Sequence, residues 1–390
     1  MRIARLALAY LASRPLATAL NVAMLAFGVA TIAFLLLVTH QAEERLTRDA
    51  RAVDLVVGAK GSPLQLILST VFHADVPTGN IGLDESRSIA TNPMVASATP
   101  LALGDSFRGH RIVGTDASFL ALHDAKLAQG RMFEAEMEAV VGAEVARRQG
   151  LALGAPLTGA HGLAASGPAH GDHPYRVVGI LAPAGTVADR LVLTSVESVW
   201  HVHEEHAPAR KEITALLIRY RTPLAAAMLP RAVNAGTAMQ AASPAYESAR
   251  LLDLAGVGVQ TLQWFAVVLM ASAALSLFAA LSSALQERRY DLALLRTLGA
   301  SPASLAALTL AEGVTLLMAG AILGLALGHG AAHALGLWLA ASGSWPLTGL
   351  AWVAGEAYLV LAVLGIGALT CLVPALQAYA SDPASLLAKR

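Results

Sequence analysis

Two histidine-rich stretches carry the side chains most able to do chemistry. HGLAASGPAHGDH occupies 161–173 and HVHEEH occupies 201–206. Imidazole nitrogens and carboxylate oxygens are the donors that Zn²⁺ and similar ions take. His201, His203 and His206, with Glu204 or Glu205, can supply three or four ligands, and His170, Asp172 and His173 form a second partial set. Neither spacing matches a closed structural zinc motif, and the Gly/Pro/Ala-rich run at 161–173 has the composition of a solvated loop. Zinc binding and an ordinary polar loop both stay open. HVHEEH lacks the H-E-x-x-H spacing that sets two imidazoles and a glutamate base on one helix face. There is no G-x-S-x-G, and the single cysteine, Cys371, lies in an apolar run. No hydrolytic or thiol constellation emerges, and the hydrophilic part of the chain cannot form an internal disulfide.

A Walker-type ATP site is excluded by a simpler count. A Walker A loop needs Gly-Lys-[Ser/Thr], so that backbone amides and a lysine cradle the phosphates. Lys60, Lys126, Lys211 and Lys389 are the only lysines, and they follow Ala59, Ala125, Arg210 and Ala388. ATP and Mg²⁺, if used, must sit on another chain. The formal net charge is zero, so nothing draws the chain to nucleic acid.

The elements that carry these residues are mostly apolar. The chain is 56% hydrophobic and only 14% charged, with a mean hydropathy of +0.58, which is too apolar for a water-soluble protein of 390 residues. Four runs exceed the roughly 20 helical residues needed to cross a bilayer core: Leu16 to Thr39, Val257 to Leu285, Ala303 to His333 and Gly349 to Tyr379. The first is too long for a signal peptide and no small-x-small site follows it, which makes it a retained anchor. Arg2, Arg5 and Arg14 precede that run, Arg288, Arg289 and Arg296 follow the second, and Lys389 and Arg390 follow the fourth. The segment from Ala334 to Thr348 has no Lys or Arg. The positive-inside rule then makes both ends and the 286–302 loop cytoplasmic, with the large segment between the first and second spans outside.

QERRYDLALLRTLGASP, residues 286–302, is charged between two apolar runs. Each arginine would cost about 2.5–3.5 kcal/mol at the bilayer centre, so the loop lies at the surface. Leu292, Leu295 and Leu298 recur at every third position, which predicts a short amphipathic helix. Gly299 is placed to end it, and Ser301 with Pro302 to start the next helix. A topological anchor and a docking element are both consistent with this pattern.

This stretch resembles the E-R-R-x-[DE]-[IL]-A-x-L-R-x-L-G-A pattern of ABC-transporter permeases of the MacB/FtsX type, through Glu287, Arg288, Arg289, Asp291, Ala293, Leu295, Arg296, Leu298, Gly299 and Ala300. Tyr290 stands at a variable position. Pro374, Ala375, Pro383 and Leu387 resemble the family's closing signature, and QGRMFEAEMEAVVGAEVARRQGLALGAPL with YRVVGILAP resembles the MacB-type periplasmic core. The resemblance implies an α-helical membrane protein with four transmembrane helices and an α+β extracytoplasmic domain inserted between helices 1 and 2. It implies an inner-membrane permease working as a homo- or heterodimer with a separate ABC ATPase. The 286–302 helix would be the coupling helix, with Leu292, Leu295 and Leu298 in a groove of the ATPase and Glu287, Arg288, Arg289, Asp291, Arg296 and Gly299 fixing its register and end. The external domain would pass on motion (mechanotransmission) that moves a substrate from the membrane or periplasm. A periplasmic adaptor or substrate-binding protein and membrane lipid are further expected partners. Two alternatives stay open: a non-transporting scaffold that activates a periplasmic partner such as a cell-wall hydrolase, and a component of zinc handling.

The chain accordingly divides into an interfacial amphipathic helix (1–15), transmembrane helix 1 (16–40), a MacB-like domain with stalk helices (41–250), helix 2 (251–285), the coupling helix (286–302), helix 3 (303–333), a short external loop (334–348), helix 4 (349–380) and a cytoplasmic tail (381–390). Ile3, Leu6, Ala7, Tyr10 and Leu11 form the apolar face of the first element. QAEERLTRDARAV and the Ala-rich run from Leu224 to Leu254 are expected to extend the first two spans outward as stalks. Gly320, Gly324 and Gly328 make GxxxGxxxG, suited to close packing within the chain or across a dimer. Glu312, inside the third run, is expected to hydrogen-bond structurally, and Glu356 to lie near the outer end of the fourth, within reach of water. Residues 56–82, with Lys60 between glycine-flanked turns, read either as a partner-facing loop or as a buried structural segment.

Overall fold

Proline stands at the first position of several of the helices in the computed structural model, which describes residues 2–162, 174–203, 211–341 and 347–380. In chain order the helices are α1 (Arg2–Ala12), α2 (Pro15–Ala50), α3 (Pro63–Thr70), α4 (Leu83–Ala90), α5 (Ser118–Leu122), α6 (Ala143–Gln149), α7 (Val196–Val202), α8 (Pro223–Gly236), α9 (Pro244–Glu287), α10 (Arg289–Thr297), α11 (Pro302–Ala341) and α12 (Ala354–Tyr379). The strands are β1 (Leu55–Ala59), β2 (Ile81–Gly82), β3 (Val95–Phe107), β4 (His110–Thr115), β5 (Leu127–Gly130), β6 (Glu138–Val141), β7 (Pro156–Leu157), β8 (Ala160–His161), β9 (Tyr175–Leu181), β10 (Val192–Ser195), β11 (Glu212–Ile213), β12 (Ala215–Tyr220) and β13 (Met239–Ala242). Two compact units result, one made of Met1–Ala42 and Ala255–Arg390, the other of Glu43–Leu254.

In the first unit, α2, α9, α11 and α12 are long and apolar enough to cross a membrane. Leu25, Val29 and Ala33 of α2 pack with Ala273, Leu277 and Leu281 of α9, Leu316, Leu317 and Ala321 of α11, and Leu359, Val363 and Cys371 of α12. The turn from α1 to α2 is closed by Ser13, whose hydroxyl donates to the Tyr10 carbonyl at 2.7 Å, and Pro15 opens α2 with a residue that has no amide hydrogen to waste.

The second unit is α+β with a mixed sheet in order β13-β1-β12-β3-β4-β10-β6-β9-β5. β3 is 13 residues long and serves two lobes. Its first half pairs with β12 through Ser97↔Arg219 to Leu101↔Ala215, and its second half pairs with β4 from Ala102↔Gly114 onward, across a register shift between Leu103 and Ser106. The first lobe is antiparallel; the second contains the parallel pairs β4–β10 and β6–β9. In β9 every second side chain (Tyr175, Val177, Leu181) is buried, the period of a pleated strand against a core. Gly142, which opens α6, has no room for a side chain: a Cβ there would lie 2.3 Å from the Ala188 carbonyl oxygen.

Within residues 56–82, β1 and α3 are structural, whereas Lys60, Gly61 and Ser62 between them are exposed. β1 pairs with both β12 and β13, Ser62 caps α3 through the Gln65 amide, and Leu66 and Ile67 are fully buried. The Ala-rich return stretch is divided differently from the expected stalk. α8 buries Ala225, Leu229 and Val233, a stripe at every fourth residue, and β13 joins the sheet, so residues 223–242 belong to the α+β unit and the long helix begins only at Pro244. Polar Thr237 and Ser243 break the alanine pattern that suggested one continuous helix.

Candidate ATPase-coupling site

α9 ends at Glu287 and α10 starts at Arg289, with Arg288 between them at φ −97°, ψ 11°. The far end of α10 is closed by a Schellman motif. The Gly299 amide donates to the Arg296 carbonyl at 3.1 Å and the Ala300 amide to Leu295 at 2.9 Å, while Gly299 takes φ +95°, which glycine adopts without Cβ strain. Ser301 then accepts from the Ser304 amide at 3.2 Å and Pro302 starts α11.

The expected docking leucines divide between two faces. Leu292 is only 6% exposed and packs with Leu305 and Ala378, with Leu285 and Leu295 alongside. At about 100° per residue, positions three apart drift by about 60° each step, so Leu292 and Leu298 lie about 120° apart around the axis. Leu292 and Leu295 therefore hold α10 to α11 and α12, whereas Leu298 is 77% exposed. Leu298 shares the outer face with Tyr290 and Leu294, at i and i+4 before it, and Asp291 and Thr297 are exposed beside them. The apolar outer stripe is thus Tyr290, Leu294 and Leu298. Arg296 is half-buried, and the side chain of Arg289 lies outside the described atoms.

Arg288 faces inward. Its guanidinium donates to Glu312 Oε1 of α11 at 3.0 Å, the two side chains being 13% and 7% exposed. It also stacks 3.8 Å over the Tyr10 ring of α1 and reaches the Tyr10 carbonyl at 3.4 Å. Arg14, before α2, pairs with Glu287. One end of α10 is therefore tied to α1 and α11 by charge-assisted contacts. Sequence alone signals Arg288 and Glu312 as unusual residues, but nothing in local spacing links Tyr10 or Arg14 to them.

The glycine stripe packs inside the chain. A Cβ on Gly320 would meet Leu25 at 2.6 Å, one on Gly324 would meet Val29 at 2.6 Å and the Ala26 carbonyl at 2.7 Å, and one on Gly328 would meet the Ala30 carbonyl at 2.9 Å. All three serve α2–α11 contact. Glu356 is fully buried rather than wet: its Oε2 lies 3.2 Å from His329 Nε2, and His329 Nδ1 is 2.6 Å from the Gly349 carbonyl.

Of the proposed metal ligands, His170, Asp172, His173 and His206 lie outside the described residues. His201 Nδ1 is 3.6 Å from Glu136, and His203 Nε2 is 3.5 Å from Asp105, so the fold sends these two imidazoles to different carboxylates.

The family model of the MacB-like periplasmic core domain matches residues 18–241. That of the FtsX-like permease C-terminal matches residues 264–383, which includes α10. The chain is an ABC-transporter permease of the MacB/FtsX type. Membership implies an ABC ATPase partner and a second permease protomer, and permeases of this type are membrane components that carry no nucleotide-binding domain. Among solved structures, the periplasmic region of MacB from Actinobacillus actinomycetemcomitans aligns with 10% identity and a TM-score of 0.36 over 52% of this chain and 94% of its own. The extracellular domain of the noncanonic ABC-type transporter YknZ from Gram-positive bacteria aligns with 13% identity and a TM-score of 0.32 over 48% of this chain and 98% of its own. No curated protein matches the chain.

Proposed function

We propose that this permease docks α10 on its ATPase through Tyr290, Leu294 and Leu298, and that ATP-driven displacement of α10 is passed to the spans and on to the extracytoplasmic domain, moving a substrate out of the membrane or periplasm. The observation that carries this is the division of α10 into a buried face and an exposed apolar stripe, the pattern of a helix that lies in a partner's groove. Burying a large apolar side chain contributes about 1.5–3 kcal/mol, so three supply a gross gain of about 4.5–9 kcal/mol, of the same order as the cost of association, and the stripe contributes to a subunit contact that needs further surface. The Arg288–Glu312 and Arg14–Glu287 pairs give the displaced helix something to pull on. α2 and α9 each run on from an apolar span into the Glu43–Leu254 unit, which suits mechanical transmission better than conduction through a pore. The arginines of the N-terminal segment and of the 286–302 loop support a cytoplasmic location for both in the bacterial inner membrane.

Co-purification tests the docking face. Leu294→Asp/Leu298→Asp is expected to lose the ATPase partner while the permease still folds; retention of the partner at the wild-type ratio would contradict the proposal.

A further inference from the structure

The segment that follows α3 meets β4 in the interior of the α+β unit and brings together side chains that the coupling site does not use. Arg111, in β4, is 5% exposed, and one arm of its guanidinium donates to the Asp75 carbonyl at 2.6 Å. Its Nε is buried without a hydrogen-bond partner among the described residues, and it makes no ion pair there. Burial lowers its pKa to about 10, against the attraction of Asp75, so it stays charged at neutral pH. Ser106 stands directly opposite Arg111 in the β3–β4 ladder, which puts both side chains on one face of the sheet. Its buried hydroxyl also has no partner among the described residues.

Two histidines complete the cluster. Both ring nitrogens of His73 are buried without a partner among the described residues, as is Nδ1 of His123, whose ring packs 4.5 Å from that of Phe119. The titratable groups that face His73 are Arg111, His123 and Arg190, with no carboxylate among them. Burial, and after it the Arg111 charge, holds the His73 ring well below the usual imidazole range, and burial pushes His123 down to about 4. Both rings are therefore neutral at neutral pH, and each has an N–H to donate. A buried donor without an acceptor bears its full desolvation penalty, and a buried charge persists only when it is paired. Arg190 has Asp49 and Glu144 to offset its charge; Arg111 has only the carbonyl and the unpaired, exposed Asp75. The cluster thus lacks an acceptor that carries negative charge. Water would accept from these donors but leave the Arg111 charge unbalanced.

We propose that His73, Arg111 and His123, with the Ser106 hydroxyl, hold a small inorganic anion of the halide class where the segment after α3 meets β4. One arm of the Arg111 fork is already taken by Asp75, which removes the bidentate geometry that phosphate and carboxylate take. The remaining donors are single N–H and O–H groups, which suit a monatomic ion. Bound there, the anion ties the α3 segment of the first lobe to β4 of the second. The site is independent of ATPase docking.

The test is chloride binding to the full-length protein in nanodiscs, read as excess linewidth of the chloride NMR signal over empty nanodiscs. A second readout is the unfolding temperature in sodium chloride against sodium gluconate at equal ionic strength. Wild type is expected to broaden the signal saturably and to unfold at a higher temperature in chloride. Arg111→Met and His123→Phe each remove a hydrogen bond to a charged group and are expected to weaken binding by about tenfold or more. Arg147→Gln, which removes an exposed cation on α6, leaves binding unchanged. Absence of broadening with equal unfolding temperatures in the two salts overturns the proposal and leaves ordered water as the partner of these donors. Chloride binding undiminished in both variants also overturns it, placing the ion elsewhere. If the variants fail to fold, the wild type decides: stabilisation that saturates with chloride at constant ionic strength supports the site, and stabilisation that is absent or does not saturate overturns it.

Discussion

Arg288 shows how far a single residue's role departs from its place in a motif. In the sequence it is one of a run of charges at the membrane surface; in the structure it is bound to Glu312 and lies over Tyr10. Removing one partner of a buried pair costs about 3–5 kcal/mol because the other charge is stranded. Glu312→Ala is therefore expected to destabilise the membrane unit by up to about 3 kcal/mol, read as a lower midpoint in denaturant titration of the detergent-solubilised protein. Arg288→Met/Glu312→Leu, which removes both charges, should recover most of that loss. Equal losses in the single and double variants would contradict a specific pair. Glu312 was legible as a polar residue in an apolar run, but its partner was not, since pairing across 24 positions depends on how α9 and α11 pack. In the second lobe, Glu138 accepts from Arg131 and from the amides of Glu134 and Ala135, which pushes its carboxyl down to about 2 from 4.5. A depressed carboxylate stabilises the fold above its unfolded value and loses that contribution as pH falls toward the folded one. Acid unfolding between about pH 4.5 and 2 should thus be shallower in Glu138→Gln than in wild type, as followed by circular dichroism; identical profiles would contradict it.

Among the elements, α10 and α11 divide what local pattern can and cannot specify. The ends of α10 were readable because capping is local: Gly299, Ser301 and Pro302 do in the structure what their conformational preferences dictate. Its inward face was not, because a leucine every third residue fits a helix at several rotations, and the choice is made by Leu285, Leu305 and Ala378 from other helices. The GxxxGxxxG stripe likewise announces a close approach without naming the partner, and α2 turns out to supply it. Gly324→Leu is expected to reduce folded yield severely, since Val29 and the Ala26 backbone already occupy the space and overpacking costs about 1–3 kcal/mol or more. Gly330→Leu, where nothing lies within 4 Å, should be tolerated. Size-exclusion profiles of the two variants check this, and equal yields would contradict it. The expected return stalk was misjudged for a related reason: alanine favours helix wherever it falls, and only tertiary packing reveals that residues 223–242 serve the sheet.

For the molecule as a whole, the four apolar helices and the α+β unit follow from features that need no tertiary information: run length, hydropathy and the alternation of β-branched residues. The chain divides into two compact units, Met1–Ala42 with Ala255–Arg390, and Glu43–Leu254. The sequence has no Gly-Lys-[Ser/Thr] for a Walker A loop and the family implies a separate ABC ATPase, so on the proposed function energy enters from that partner through the exposed stripe of α10. The measurement that bears on this most closely is ATP hydrolysis in lipid nanodiscs by the cognate ATPase alone, with wild-type permease, and with Leu294→Asp/Leu298→Asp. Stimulation by wild type that falls to the ATPase-alone rate in the variant is the predicted result. Equal rates in all three would contradict the account and reduce α10 to a surface anchor.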